Sequence, residues 1–270
     1  MPAGQRLPQD AALISDEKLL SEGALEIVGR IAPASNATFL ADLSVDGRSE
    51  RCVYKPVAGE RELWDFPDGT LAAREVAAYV VSVGLGWDLV PPTVLREGPH
   101  GPGMVQLWRE PDPGQAPVTI VREGRVPAGY RVALEGFDDD KRRVALVHED
   151  SEVMQRIAVF DVVTNNADRK GGHVLGMADG HRYAVDHGVC FHEDHKLRTV
   201  LWGWAGQPLI EEHLDAVVAA AGSVSLVAAL ERLLSAAEVE AFVRRCGRLA
   251  TVGVLPDQSE SWPAVPWPVF

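Results

Sequence analysis

The stretch Thr164-Asn165-Asn166-Ala167-Asp168-Arg169-Lys170-Gly171-Gly172-His173, with Asp186-His187-Gly188 downstream, decides how this chain is read. The first segment is the most polar of the chain. It follows directly on a run opened by Ser151 in which Val153, Met154, Ile157, Ala158, Phe160 and Val163 recur at helical spacing. A helix ending there hands Asp168 and Lys170 to a loop, the usual place for chemistry on a rigid scaffold. Residues 174–176 and 182–185 read as two short strands turned by Asp179-Gly180, and the second delivers Asp186 at its end. Taken singly, both aspartates are ordinary turn formers.

Upstream, Ser15 is placed to cap a short helix running through Leu20, after a frayed start. Residues 24–31, 37–45 and 51–54 read as strands, the last two joined by Asp46-Gly47, a strong two-residue hairpin signal. Between the first two lies the small-residue turn Ala32-Pro33-Ala34-Ser35-Asn36. The third strand ends at Lys55. Thr70 then caps a helix to about residue 83, with Leu71, Val76, Tyr79, Val80 and Val83 as its apolar side and Glu75 in its second turn. Residues 90–95, interrupted by Pro91-Pro92, read as an edge strand, and 104–108 as another. Residues 109–144, rich in Pro, Gly and charge, read as a linker and insertion. Helices are expected over 209–221, 224–234 and 236–250, with Ser235 and Glu238 forming a capping box for the last. The 255–270 tail, punctuated by Pro263, Pro266 and Pro268, is expected to pack extended on the body so that Trp262 and Trp267 leave water.

Composition narrows the function classes. The 270 residues are 46% hydrophobic, which is globular composition. Lys plus Arg number 26 against 39 Asp plus Glu, a net charge of −13. Such a field opposes attraction to nucleic-acid phosphates and to anionic lipid surfaces. The three cysteines are widely spaced without a CxxC pair, so neither a zinc ribbon nor a disulfide framework is indicated. No leader-like or membrane-spanning apolar run occurs, and a cytoplasmic location is the expectation.

The order of features carries more than any one of them. Strand, small-residue turn, strand, strand ending in Lys55, helix bearing Glu75, then the Asp168 loop, two short strands and Asp186 resemble the layout of a two-lobed kinase. ATP is polyanionic, and an acidic protein must neutralise it locally. In this layout Lys55 reaches the phosphates and Glu75 holds that lysine by an ion pair. Asp186 binds a metal bridging the phosphates, Asp168 orients the attacking hydroxyl, and Lys170 stabilises the transferring group. Ser35 and Asn36, with nearby backbone N–H groups, cover the phosphates. Gln106 and Trp108 border the nucleotide.

Asn165-Asn166-Ala167-Asp168-Arg169-Lys170 with Ala184-Val185-Asp186-His187-Gly188 resembles the Asn-x-Asp-Arg and Ile-Asp-x-Gly motifs of phosphoinositide 3- and 4-kinase-like proteins. That wider group includes the HipA-type atypical kinases, and the nearest resemblance is to an actinobacterial phosphatidylinositol-kinase-related family. It spans about residues 24–205. It implies an α+β, bilobed protein-kinase-like fold: a small antiparallel β lobe with one helix, and a mainly helical large lobe. The corresponding segments are a 1–19 extension, a small ATP-binding lobe over 20–108, the 109–144 linker, a large lobe over 145–254 and the 255–270 tail. The implied activity is ATP-dependent phosphoryl transfer with Mg2+ or Mn2+. Asp168 and Lys170 are the implied catalytic residues, Asp186 and His173 the metal-binding ones.

One position departs from the pattern. His173 stands where these kinases carry a metal-binding Asn, and imidazole favours softer ions than Mg2+. A nucleotide-binding pseudokinase is therefore the alternative, and transfer of AMP by a reversed nucleotide is a further variant. The run His187, Cys190, His192, Glu193, Asp194, His195 invites a metallohydrolase reading but lacks HExxH spacing. The acceptor expected is a protein hydroxyl or a small soluble molecule; the acidic charge and the want of an evident anchor disfavour a lipid. No nucleic-acid partner and no integral membrane association are expected.

Overall fold

Ser15 accepts the Lys18 N–H on its hydroxyl at 3.2 Å. Helix α1 (Asp16–Glu22) follows, with Asp16 and Glu17 in its first turn, where carboxylates suit the positive end of the helix dipole. The structure is a computed structural model and describes residues 14–32, 36–259 and 262–270. Ser35, expected at the phosphates, lies outside the described residues.

The first sheet has five strands, all antiparallel to their neighbours, in the order β1 (Ala24–Arg30), β2 (Phe39–Val45), β3 (Arg48–Pro56), β5 (Gly101–Leu107), β4 (Thr93–Gly98). Val45 pairs with Arg48, and Asp46 and Gly47 between them both have positive φ, as the tight mirror-image hairpin turn requires. The inner face, Ala41, Leu43, Cys52, Tyr54, Val105 and Leu107, packs on Leu19 and Leu20 of α1 to make one core.

Helix α2 (Leu71–Leu85) lies against β4 and β5. Thr70 precedes it, but its hydroxyl donates to Pro67 O instead of capping. The first two helical N–H groups, of Leu71 and Ala72, are received by the Glu60 carboxylate at 3.0 and 2.8 Å. This serves the orphan amides and the helix dipole together. The buried face of α2 is carried by Ala77, Ala78, Val81 and Leu85, which leaves Val83, expected inside, 59% exposed.

Residues 109–144, expected as linker and insertion, carry regular structure. β6 (Val118–Arg122) and β7 (Tyr130–Phe137) flank β8 (Arg143–Glu149) in a second antiparallel sheet. Tyr130, Val132 and Leu134 of β7 alternate with Arg131, Ala133 and Glu135, but the strand is exposed along most of its length and the alternation marks no buried face. The rest of the chain supplies α3 (Glu152–Thr164), the short hairpin β9 (Val174–Gly176) and β10 (Arg182–Ala184), and α4 (Glu211–Gly222), α5 (Val224–Leu230) and α6 (Ala236–Val252). These bury Ile157, Phe160, Phe191, Trp204, Leu230 and Phe242 in a larger second core that also takes the inner face of α2. The fold is thus mixed α/β, with antiparallel sheets and, among the described residues, six α-helices. No single described helix is long and apolar enough to cross a membrane.

The described residues of the tail form neither helix nor strand but are tied down. Ala264 O accepts from Thr199 N and Trp202 Nε1, Trp262 Nε1 donates to Lys196 O, and Gly171 N–H donates to Val269 O at 2.8 Å. Trp262 is partly covered, whereas Trp267 stays 86% exposed, against the expectation that both indoles leave water.

Candidate functional site

β3 ends beside α2, and the β9–β10 hairpin brings Asp186 to the same point. Lys55 Nζ donates to Glu75 Oε1 at 2.6 Å and to Asp186 Oδ1 at 2.7 Å. Glu75 is 1% exposed, and its other oxygen receives the His187 N–H at 2.7 Å, so the buried carboxylate is satisfied on both sides. Burial disfavours the Lys55 charge, but Asp186 and Glu75 outweigh it and raise the ammonium pKa. Lys55 in turn holds the Asp186 carboxyl far below its usual range. Burial pushes Glu75 upward against the pull of Lys55. Asp186 has φ +63°, a conformation costly for a non-glycine residue and one that clusters at functional sites.

Helix α3 stops at Asn165, whose φ of +54° is left-handed. The following loop is built around a buried ion pair absent from the sequence expectations. Asp161 accepts from Arg169 Nε at 3.0 Å, from Asn166 Nδ2 at 3.0 Å and from Thr199 Oγ1 at 2.9 Å, and both Asp161 and Arg169 are fully buried. Arg169 also reaches Val185 O at 2.9 Å and His187 Nε2 at 2.7 Å, joining the loop to the segment that carries Asp186. Between Asp168 and Lys170, Arg169 reads in the sequence as a further positive charge for phosphates. Its guanidinium is instead consumed inside the fold.

Asn166 Oδ1 accepts the Asp168 N–H at 2.9 Å, which turns the Asp168 side chain out of the loop. Lys170 Nζ lies 3.4 Å from Asp168 Oδ2. Desolvation raises the Asp168 pKa, opposed by Lys170. His173 Nδ1 accepts the Lys170 N–H, so the proton of the neutral ring sits on Nε2, which faces Asp186 Oδ2 at 3.4 Å. Burial lowers the His173 pKa to about 4.

Two clefts meet at these groups. Asn36, Lys55, Asp168, Lys170 and Asp186 line both. One cleft, of about 480 Å³, adds Ile31, Val53, Leu175 and Val185 together with Gln106 and Trp108. The other, of about 400 Å³, adds Arg61, Trp64, Arg198, Trp262 and Trp267. Gln106 itself is 4% exposed and donates to Thr93 Oγ1, while Trp108 Nε1 donates to Glu110. Asn36 Oδ1 accepts the Arg61 N–H at 2.8 Å. All the sequence-expected site residues within the described chain therefore border one or both clefts, with Gln106, Trp108 and His173 on the first alone and Glu75 on the second alone.

Among the described residues no group of three or more His, Cys, Asp and Glu is gathered as a metal cage. Asp186, whose Oδ2 faces the Nε2–H of His173, offers a single carboxylate, so a cation held there would take most of its ligands from a bound molecule and water. The metallohydrolase run is dispersed: His187 and Cys190 are buried and Glu193, Asp194 and His195 exposed. Residues that sequence reasoning missed are Asp161, Glu60 and Phe270. Phe270 rests its ring on Gly171, where an added Cβ would come within 2.3 Å of it.

The chain is 48% identical over 266 residues to Protein Rv2133c of Mycobacterium tuberculosis (strain ATCC 25618 / H37Rv), covering 94% of this chain and 95% of that one. It belongs to the family of that protein. No family model matches the chain. The Helicobacter pylori proinflammatory kinase CtkA, a crystal structure, aligns with a TM-score of 0.41 and 10% identity over 87% of this chain and 94% of its own.

Proposed function

We propose that this protein is an ATP- and metal-dependent phosphotransferase with a two-lobed, atypical kinase architecture related to the phosphoinositide 3- and 4-kinase-like group. In this reading the small lobe is about residues 20–108 and the large lobe about 145–254. The observation that carries the proposal is the double contact of Lys55 with Glu75 and Asp186 at the meeting point of two clefts. A lysine held this way is positioned for phosphate oxygens, and its carboxylate partners keep it charged.

ATP takes the cleft bordered by Gln106 and Trp108, and the acceptor takes the other. Asp186 would hold Mg2+ or Mn2+, which when bound would neutralise charge on the phosphates; His173, expected beside it as a ligand, would join only after its proton leaves Nε2. Asp168 accepts or orients the proton of the attacking hydroxyl, and Lys170 stabilises the equatorial oxygens in transfer. The acceptor is a protein hydroxyl or a small soluble molecule, and the site of action is the cytoplasm. The −13 charge opposes a nucleic-acid partner, and no integral membrane association is proposed.

Nucleotide binding tests the reading first. At a hundredfold excess over Kd, ATP with Mg2+ or Mn2+ stabilises by about 2.7 kcal/mol, a rise in Tm of roughly 5–10 °C at this chain size. Lys55→Met abolishes the rise if the reading holds. No shift with either metal refutes it. A second reading, nucleotide binding with weak catalysis, is favoured by His173, whose Nε2 proton faces Asp186 where an amide oxygen would meet a metal. Binding without transfer of labelled γ-phosphate selects that reading.

A further inference from the structure

Sharing no lining residue with the two clefts, a cavity of about 370 Å³ opens between α6, the end of α3 and residues 254–259. Its apolar wall is Val162, Leu197, Leu249, Val252 and Val254, and its polar wall holds His195, Arg245 and Arg248. In a chain with 39 acidic residues against 26 Lys and Arg, two guanidiniums and an imidazole gathered at one cavity, with Asp257 the one carboxylate among its described lining residues, are out of keeping. Yet none of the three forms an ion pair with a described residue.

Arg245 carries the case. Its Nε donates to Val163 O at 2.9 Å and its Nη1 to His192 O at 3.1 Å, while Nη2 is buried with no hydrogen-bond partner. A buried charged donor left unmet costs more than the 1–3 kcal/mol or so of a neutral one. Burial, unopposed by any adjacent carboxylate strong enough to offset it, lowers the guanidinium pKa to about 10. The His195 pKa is lowered by burial and then by Arg245 and Arg248, which places all three within one field. Asp257 also borders the cavity, but its Oδ1 turns to Gly206, 3.2 Å from where a Cβ there would sit.

We propose that this cavity binds an amphipathic monoanion: a carboxylate or phosphate head received by Arg245 and Arg248, on a short alkyl chain lying along Leu249, Val252 and Val254. The head group supplies the counter-charge that Arg245 and Arg248 lack among the described residues, and guanidinium forks match carboxylate and phosphate oxygens. The volume suits a small ligand and not a membrane surface. The site stands independently of the phosphotransfer reading. It lies one contact behind the polar loop, because His192 O, which Arg245 grips, also accepts Asn165 Nδ2 at 2.8 Å.

The test is calorimetric titration of the full chain with decanoate, with decanol and with inorganic phosphate, and sedimentation with phosphatidylglycerol vesicles. The expected result is saturable decanoate binding, at least tenfold tighter than decanol or phosphate and at least tenfold weakened in Arg248→Glu. Arg248 is exposed, so that variant folds; Arg245→Lys, which keeps the charge and loses the fork, weakens binding as well. Absent decanoate binding, affinity equal to that of decanol or phosphate, capture by vesicles alone, or indifference to Arg248→Glu each overturns the proposal.

Discussion

Replacing Asp161 by Asn removes one charge and changes no volume, yet it strikes the point on which the polar loop is hung. The carboxylate takes hydrogen bonds from Arg169, Asn166 and Thr199 at 2.9–3.2 Å, with Asp161 and Arg169 fully buried. An amide at that position presents one acceptor and one donor to three donors, and it leaves Arg169 charged in the interior without a counter-ion. Removing one partner of a buried ion pair costs about 3–5 kcal/mol. For a chain of this size that corresponds to roughly 6–20 °C in Tm. Urea denaturation followed by circular dichroism at pH 7 measures it, with an unchanged m-value as the sign that stability alone has moved. Burial pushes the Asp161 pKa upward against Arg169. Were the carboxyl protonated in the fold, Asn would be nearly silent, so a loss below about 1 kcal/mol refutes the ion-pair account.

Other predictions follow from single contacts. Phe270→Ala removes the ring that rests on Gly171, so ATP turnover falls at least tenfold with KM for ATP within twofold; an unchanged kcat contradicts the bracing role. Glu75→Gln leaves Lys55 with Asp186 alone and weakens ATP binding about tenfold, or about 1.4 kcal/mol by calorimetry. His148 is buried, donates from Nδ1 to Glu149 O and accepts the Gly203 N–H on Nε2, and burial lowers its pKa. A depressed folded pKa means stability present above the unfolded value near 6.5 and lost as pH falls below it. Denaturation midpoints therefore drop from pH 7 to pH 5, and His148→Gln flattens that slope; an identical slope in the variant removes His148 as the cause.

Local signals in the chain were read where chemistry is local. Asp46-Gly47 needs two positive φ values and has them, and Ser235 with Glu238 forms the reciprocal cap. The meeting of Lys55, Glu75 and Asp186 was legible only through the order of elements, since Lys55 and Asp186 are 131 residues apart. What was not legible depends on tertiary partners. Arg169 looks like a phosphate ligand until Asp161 is seen beneath it, and Glu60 looks like surface charge until it meets the start of α2. β7 is hard to place because its side chains stay in water, and the seat of the tail, whose packing was expected, because its anchors are backbone carbonyls, Ala264 and Val269.

The central claim is transfer of a phosphoryl group at the Lys55–Asp168–Asp186 cluster. Incubation of the full chain with γ-labelled ATP and Mg2+ or Mn2+ tests it most directly, with and without an added lysate fraction of small molecules and proteins. The account predicts label moved to water, to the chain or to an acceptor, abolished in both Asp168→Ala and Asp186→Ala while each variant keeps its fold by circular dichroism. Label movement that persists in both variants, or none with either metal from a wild-type chain that binds ATP, contradicts it.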